Sequence, residues 1–204
     1  MAVELVTGYS GTAHVSSAED GARQAGTVGT GMYVMETGGM CDATLEDAGT
    51  VSVGPGDLLI NGRHVQLTGS TVFLIPTGTQ GMKTSNLLAI RYARDEEGKE
   101  SASPIVLTGD PAAGDPKDPA IVEGSILDGD STVDMPLYRV VTEGITAGEP
   151  VPLFETVPPI AGFVPISNDE VDAAWLAADL VEPQPVYVAM TNPEVDLLFA
   201  EGGE

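Results

Sequence analysis

Glycine and proline divide this chain into short pieces, and that limits it more than any other feature. Sixteen of its 25 glycines lie in residues 1–102, and thirteen of its 15 prolines lie in 104–193. Glycine in the first half permits positive φ and tight turns. Proline in the second half excludes helix interiors and central strand positions. The apolar runs left between these breaks are mostly four to seven residues long, which suits strands better than helices.

Read this way, the first 160 residues are mainly short strands. Met32–Glu36, Cys41–Glu46, Thr50–Val53 and Thr71–Ile75 are runs bounded by glycine or proline. Asp57–Ile60 and Arg63–Leu67 flank Asn61-Gly62, a pair suited to a type I′ turn with positive φ at both central residues. Leu87–Ala93 and Ser103–Leu107 flank a charged, glycine-containing loop and form a second hairpin. Met135–Thr142 and Val151–Phe154 form a third pair. Ala18–Ala25 alone has helical character in this region, and Gly21 is expected to interrupt it. Residues 109–119 (GDPAAGDPKDP) carry no apolar anchor and read as a surface loop.

The expected fold class is therefore mainly β, an antiparallel β-sandwich or barrel with a short α-helical C-terminal extension. The expected division is a β-rich structural domain over 1–160 and an acidic, partly helical arm over 161–204. In that arm Ser167-Asn168-Asp169-Glu170 has the form of a capping box. Val171, Ala174, Trp175 and Ala178 follow at helical spacing, and Val195, Leu198 and Phe199 share a second short stripe. Helices this short need a surface to dock on. Prolines 158, 159 and 165 extend the approach, so Val171, Trp175, Val195, Leu198 and Phe199 are the expected oligomer or partner contacts.

The chain has 8 Lys+Arg against 31 Asp+Glu, a formal charge of −23. No basic face for a phosphate backbone can be assembled from that, and anionic lipid is equally disfavoured. Neither nucleic acid nor membrane is an expected partner. After Arg139 there is no Lys or Arg while 12 acids follow, which reads as a solvated, solubilising surface. The N-terminus shows neither the basic region nor the apolar run of a signal peptide. One cysteine, Cys41, rules out an internal disulfide and a multi-thiolate zinc site.

Chemistry-bearing motifs fail one by one. Gly8-Tyr9-Ser10-Gly11 lacks the second glycine of a nucleophile elbow. Cys41 stands beside an acid, where a thiolate is disfavoured, and reads as a small apolar strand residue. Residues 26–31 and 78–84 lack the order and spacing of phosphate loops and read as glycine turns. His14 and His64 have no second ligand nearby in sequence. Residues 128–134 place Asp128, Asp130 and Asp134 at calcium-loop positions 1, 3 and 7, yet position 6 is not Gly and position 12 is Arg139. That segment reads as a solvated acidic turn. No catalytic, cofactor-binding or metal-ligating residue is expected, and no cofactor.

The order of motifs carries a resemblance. LVTGYSGTAHVSSAEDGARQAGTVGTGMYVMETG, GDLLINGRHVQL, GTQG, LLAIRYARDEEGKESASPIVLTGDP and DPAIVEGSILDGDSTVDMPLYRV succeed one another over about Leu5 to Phe154. This looks like a family of virion structural proteins from phages and prophages of Gram-positive hosts, placed in the tail, baseplate or fibre. The Gly-Tyr-Ser-Gly and Gly-Arg-His segments carry most of the likeness. The sequence departs from it at Lys83-Thr84-Ser85-Asn86, where relatives are more basic, and after Pro158, where relatives continue into longer regions. The resemblance implies a non-enzymatic virion protein, a homo-oligomer and most often a trimer, assembled in the host cytoplasm with other virion proteins. A head-attached decoration or fibre protein is the alternative within the particle. A β domain that binds host-surface carbohydrate is the alternative of another class, with a host-surface glycan as its partner. The family transfers no catalytic residues.

Overall fold

The computed structural model describes residues 3–5 and 16–159. The chain falls into two compact units, Met1–Phe163 and Val164–Glu204. The expected contact residues Val171, Trp175, Val195, Leu198 and Phe199, and both expected C-terminal helices, lie outside the described residues, as do His14 and Ser10.

The described part is mainly β, with a curled antiparallel sheet that forms a half-barrel. In chain order its elements are β1 (Val3–Leu5), α1 (Ser17–Val28), β2 (Met32–Met35), β3 (Ala43–Asp47), β4 (Thr50–Val53), β5 (Gly56–Ile60), β6 (Arg63–Leu67) and β7 (Thr71–Leu74). They continue with β8 (Lys83–Arg94), β9 (Glu100–Thr108), a 3-10 turn η1 (Ile126–Asp128), β10 (Thr132–Glu143), β11 (Thr146–Ala147), β12 (Val151–Pro152) and β13 (Glu155–Val157). One sheet has the order β1-β6-β5-β2-β13, a second β11-β10-β8-β9 with β12 also on β10, and a third β3-β4-β7. All pairings are antiparallel except β13 on β2.

Strand alternation sends one face of each sheet into a common core. Val34, Leu58, Ile60, Val65 and Leu67 enter it from the first sheet. Leu88, Ile90, Tyr92, Val133, Met135 and Val140 enter from the second, and Val51, Val53 and Phe73 from the third. The two expected hairpins form, and so does the third expected pair. Asn61 and Gly62 have φ of 44° and 83°, as a type I′ turn requires, and join β5 to β6. β8 is longer than its apolar run because Thr84, Ser85 and Asn86 extend it as buried polar strand residues, Thr84 and Ser85 pairing with Thr142 and Val141 of β10. β10 pairs with β12 through Tyr138 and Pro152.

Three expectations need correction. Gly21 does not interrupt a helix: α1 runs through it from Ser17 to Val28. Tertiary contact outweighs propensity here, because Gly21 and Ala25 are its buried residues and Gly21 faces the β5–β6 turn at a distance no side chain permits. An added Cβ on Gly21 would lie 1.9 Å from Nη1 of Arg63, and one on Gly62 would lie 2.2 Å from the Gly21 carbonyl oxygen. Residues 26–28, read as part of a glycine turn, are the last turn of the same helix, which Gly29 ends at φ 128°. Cys41 is not a strand residue: Met40 and Cys41 have φ of 52° and 57°, and β3 begins at Ala43. The thiol is nevertheless fully buried, because the turn folds back on Pro55 and Gly56.

Candidate functional site

The polar residues that the sequence singles out are used by the fold itself. His64 and Gln66 on β6 lie on the same face as Asp57 on β5. Nε2 of His64 lies 2.8 Å from Oδ1 of Asp57, and Nε2 of Gln66 donates to that oxygen at 3.0 Å. The Thr37 hydroxyl donates to the other oxygen at 2.9 Å. Burial pushes the Asp57 carboxyl up, but these hydrogen bonds and the His64 charge together hold it below its ordinary value. An acid so placed orients the imidazole.

Cys41 is sealed. Burial, then Asp57 and Asp42, push its thiol up to about 12. A thiol in that state supplies almost no thiolate at neutral pH, so Cys41 is no nucleophile. Tyr138 closes the same corner: its hydroxyl donates to the Cys41 carbonyl at 3.0 Å, and its ring meets Phe154 edge-on at 5.4 Å.

The acidic turn at 128–134 corrects another expectation. Asp128 and Asp130 are exposed, but the Asp134 side chain is fully buried and bonded to Arg91 at 2.6 and 2.8 Å. β10 begins at Thr132, so strand alternation puts Asp134 on the same face of the sheet as its cross-strand partner Arg91 and removes it from any loop ligand set. Burial raises its pKa, while Arg91 and the Val122 N–H outweigh that and hold it below the usual range. Asp130 accepts from the Ser125 N–H at 2.8 Å. Among the described residues, no group of three His, Cys, Asp or Glu is placed to hold a metal ion.

Sequence reasoning did not find the buried polar group at the α1 end of the barrel. Nε of Arg63 donates to Glu100 at 3.0 Å, and the Tyr92 hydroxyl donates to the same carboxylate oxygen at 2.5 Å. The side chains of Arg63 and Glu100 are 5% and 2% exposed. Beside them Asn61 donates from Nδ2 to the Thr30 carbonyl at 2.9 Å, and its Oδ1 lies 3.4 Å from the Ile126 amide. The Gly62-Arg63-His64 segment is thus a structural junction, where helix, hairpin and η1 meet.

One accessible strip of the third sheet carries no charge of its own. Val72 and Leu74 on β7 are 57% and 71% exposed, and across β4–β7 they stand opposite Ser52 and Thr50. Residues 65–82 contain no Asp, Glu, Lys or Arg, and neither do residues 48–56, which include β4. In a chain of charge −23 this two-strand strip is free of charge, and it is bordered on β3 by the exposed acids Glu46 and Asp47, Asp47 standing opposite Thr50. The sequence already places a β-branched, aromatic strand at 71–75, but which of its side chains point outward follows only from the register with β4.

No family model matches the chain, and no curated protein is significantly similar to it.

Proposed function

We propose that this protein is a non-enzymatic structural subunit of a phage virion, in the tail, baseplate or fibre base, and that it works as a homo-oligomer. The observation that carries the reading is the β4–β7 strip, which has no charge of its own and exposes Val72 and Leu74. Copies of charge −23 repel one another, and at physiological salt that repulsion is screened only beyond about 8 Å. Direct contact is therefore cheapest where carboxylates are fewest, and apolar side chains supply the attraction there. The second copy of this chain is the occupant we assign to that face. The engagement of His64 by Asp57 and the sealing of Cys41 support a scaffold rather than a catalyst. The order of motifs supports the virion, and through it a trimer in contact with other virion proteins.

Two measurements test this. Light scattering at micromolar concentration and moderate salt is expected to give three times the 21.0 kDa of one chain, and Leu74→Lys is expected to lower that mass. A single-chain mass for the wild type rejects the oligomer. Antibody labelling of purified particles is expected at the tail or its tip. Labelling of the head moves the protein to the decoration class, and particles without it end the virion reading.

A further inference from the structure

Residues 109–124 cross from β9 to η1 without a strand or helix of their own, and they are fastened to β8 and β10 at two places of opposite character. At the first, the amide of Gly109 donates to the Ser85 carbonyl at 2.8 Å. Ala112 and Lys83 exchange two backbone hydrogen bonds, each at 2.8 Å. Asp118 then closes the loop: the Ser85 hydroxyl donates to it at 2.6 Å, and Arg139 grips it with Nε at 2.7 Å and with Nη2. This ion pair is open to water, its side chains being 38% and 33% exposed. At the second place the Val122 amide donates to the buried Asp134 carboxylate at 2.9 Å, and the Asp134 amide donates back to the Val122 carbonyl at 2.9 Å. Arg91 holds that carboxylate from the other side.

On β8, Leu87 and Ala89 lie between the residues that form these two anchors, Ser85 and Arg91. Both are buried, yet neither belongs to the main core cluster, because their side chains leave the opposite face of the strand from Leu88 and Ile90. The loop itself offers little apolar surface in return: between Gly109 and Pro119 it has three prolines, two alanines and otherwise glycine or charged residues.

We propose that residues 109–120 form an ionic latch: a strap that peels from the sheet when the Asp118–Arg139 pair is broken and stays hinged at Val122–Asp134. The asymmetry is physical. A solvent-exposed pair is weakened by salt and by competing charge, whereas a carboxylate removed from water and bonded on several sides is screened far less. Segments held mainly by exposed polar bonds open locally at lower free energy than the core does. The strap is therefore a separate unit of motion on a barrel that stays folded, and its release uncovers Ser85.

Amide hydrogen exchange on the full chain tests this. In Asp118→Asn, exchange at Gly109 and Ala112 is expected to quicken about tenfold, the scale of one charged hydrogen bond lost. The amides of Val122 and Asp134, and those of the β8–β10 ladder, are expected to stay at wild-type protection. Trypsin cleavage after the exposed Lys117 is expected to quicken in parallel. Arg139→Gln removes the other half of the pair and must give the same pattern. Should either variant fold poorly, the wild type at about 0.15 M and about 1 M salt supplies the same contrast. Unchanged exchange at Gly109 and Ala112 overturns the latch. Equal loosening of Val122 and Asp134 overturns the hinge.

Discussion

Gly21 and Gly26 sit in the same helix and should respond to the same substitution with opposite signs. Replacing a helical glycine by alanine ordinarily stabilises by about 0.5–1 kcal/mol, since less backbone entropy is lost on folding. Gly26 has open space around the position of an added Cβ, so Gly26→Ala should show that gain. At Gly21 the added methyl would occupy the position of Nη1 of Arg63, 1.9 Å away. The guanidinium cannot simply swing aside, because its side chain is 5% exposed and Nε is bonded to Glu100. Nor can the helix slide toward the turn, since the Gly21 carbonyl already meets Gly62. Displacing Arg63 breaks its pair with Glu100, 2% exposed, and breaking a buried pair costs about 3–5 kcal/mol. Subtracting the helix gain leaves Gly21→Ala destabilised by about 2–4 kcal/mol. With a urea dependence of about 2 kcal/mol per molar, its unfolding midpoint should fall by about 1–2 M. The midpoint of Gly26→Ala should rise by a few tenths molar. If the Gly21→Ala midpoint equals or exceeds the wild-type value, the packing argument for the helix–turn junction is wrong.

Two further predictions follow from the titrating groups. Asp57, Asp118 and Asp134 are all held below their ordinary values, Asp118 chiefly by Arg139. In the unfolded chain such carboxyls take up protons near pH about 4, while the folded chain resists until lower pH. Their stabilisation is thus fully present above about pH 5 and is lost as pH falls through the folded values. The urea midpoint should be flat from neutrality to about pH 5 and then drop, less steeply in Asp134→Asn; a flat profile down to about pH 3 refutes this. For Cys41, a thiol pushed up to about 12 should react with an aromatic disulfide reagent at mildly alkaline pH at least about 10³-fold more slowly than a free cysteine, and normally once urea unfolds the chain. Reaction of the native protein at the free-cysteine rate would show that the turn opens readily.

The hairpins are legible in the sequence because their determinants are local. Asn61-Gly62 needs positive φ at both residues whatever surrounds it, and the loop between β8 and β9 needs only its charge and its glycine. The misjudged positions share a different cause, since each is decided by a partner distant in the chain. Gly21 reads as a helix breaker until Gly62 and Arg63, some forty residues on, are seen to leave no room for a Cβ. Asp134 reads as a loop acid until β10 turns it onto Arg91, 43 residues earlier. Arg63 and Glu100 read as two more surface charges in a strongly charged chain, and only the folding of β6 against β9 makes them a buried pair. The uncharged run at 65–82 lies between legible and hidden: composition shows that it lacks charge, but Val72 and Leu74 face outward because Phe73 has taken the inward position in the register with β4. Period-two alternation says that Phe73 opposes its neighbours, and only the third sheet's packing on the core decides which side is wet. That decision leaves Val72 and Leu74 on the wet side of the third sheet, which composition alone does not show.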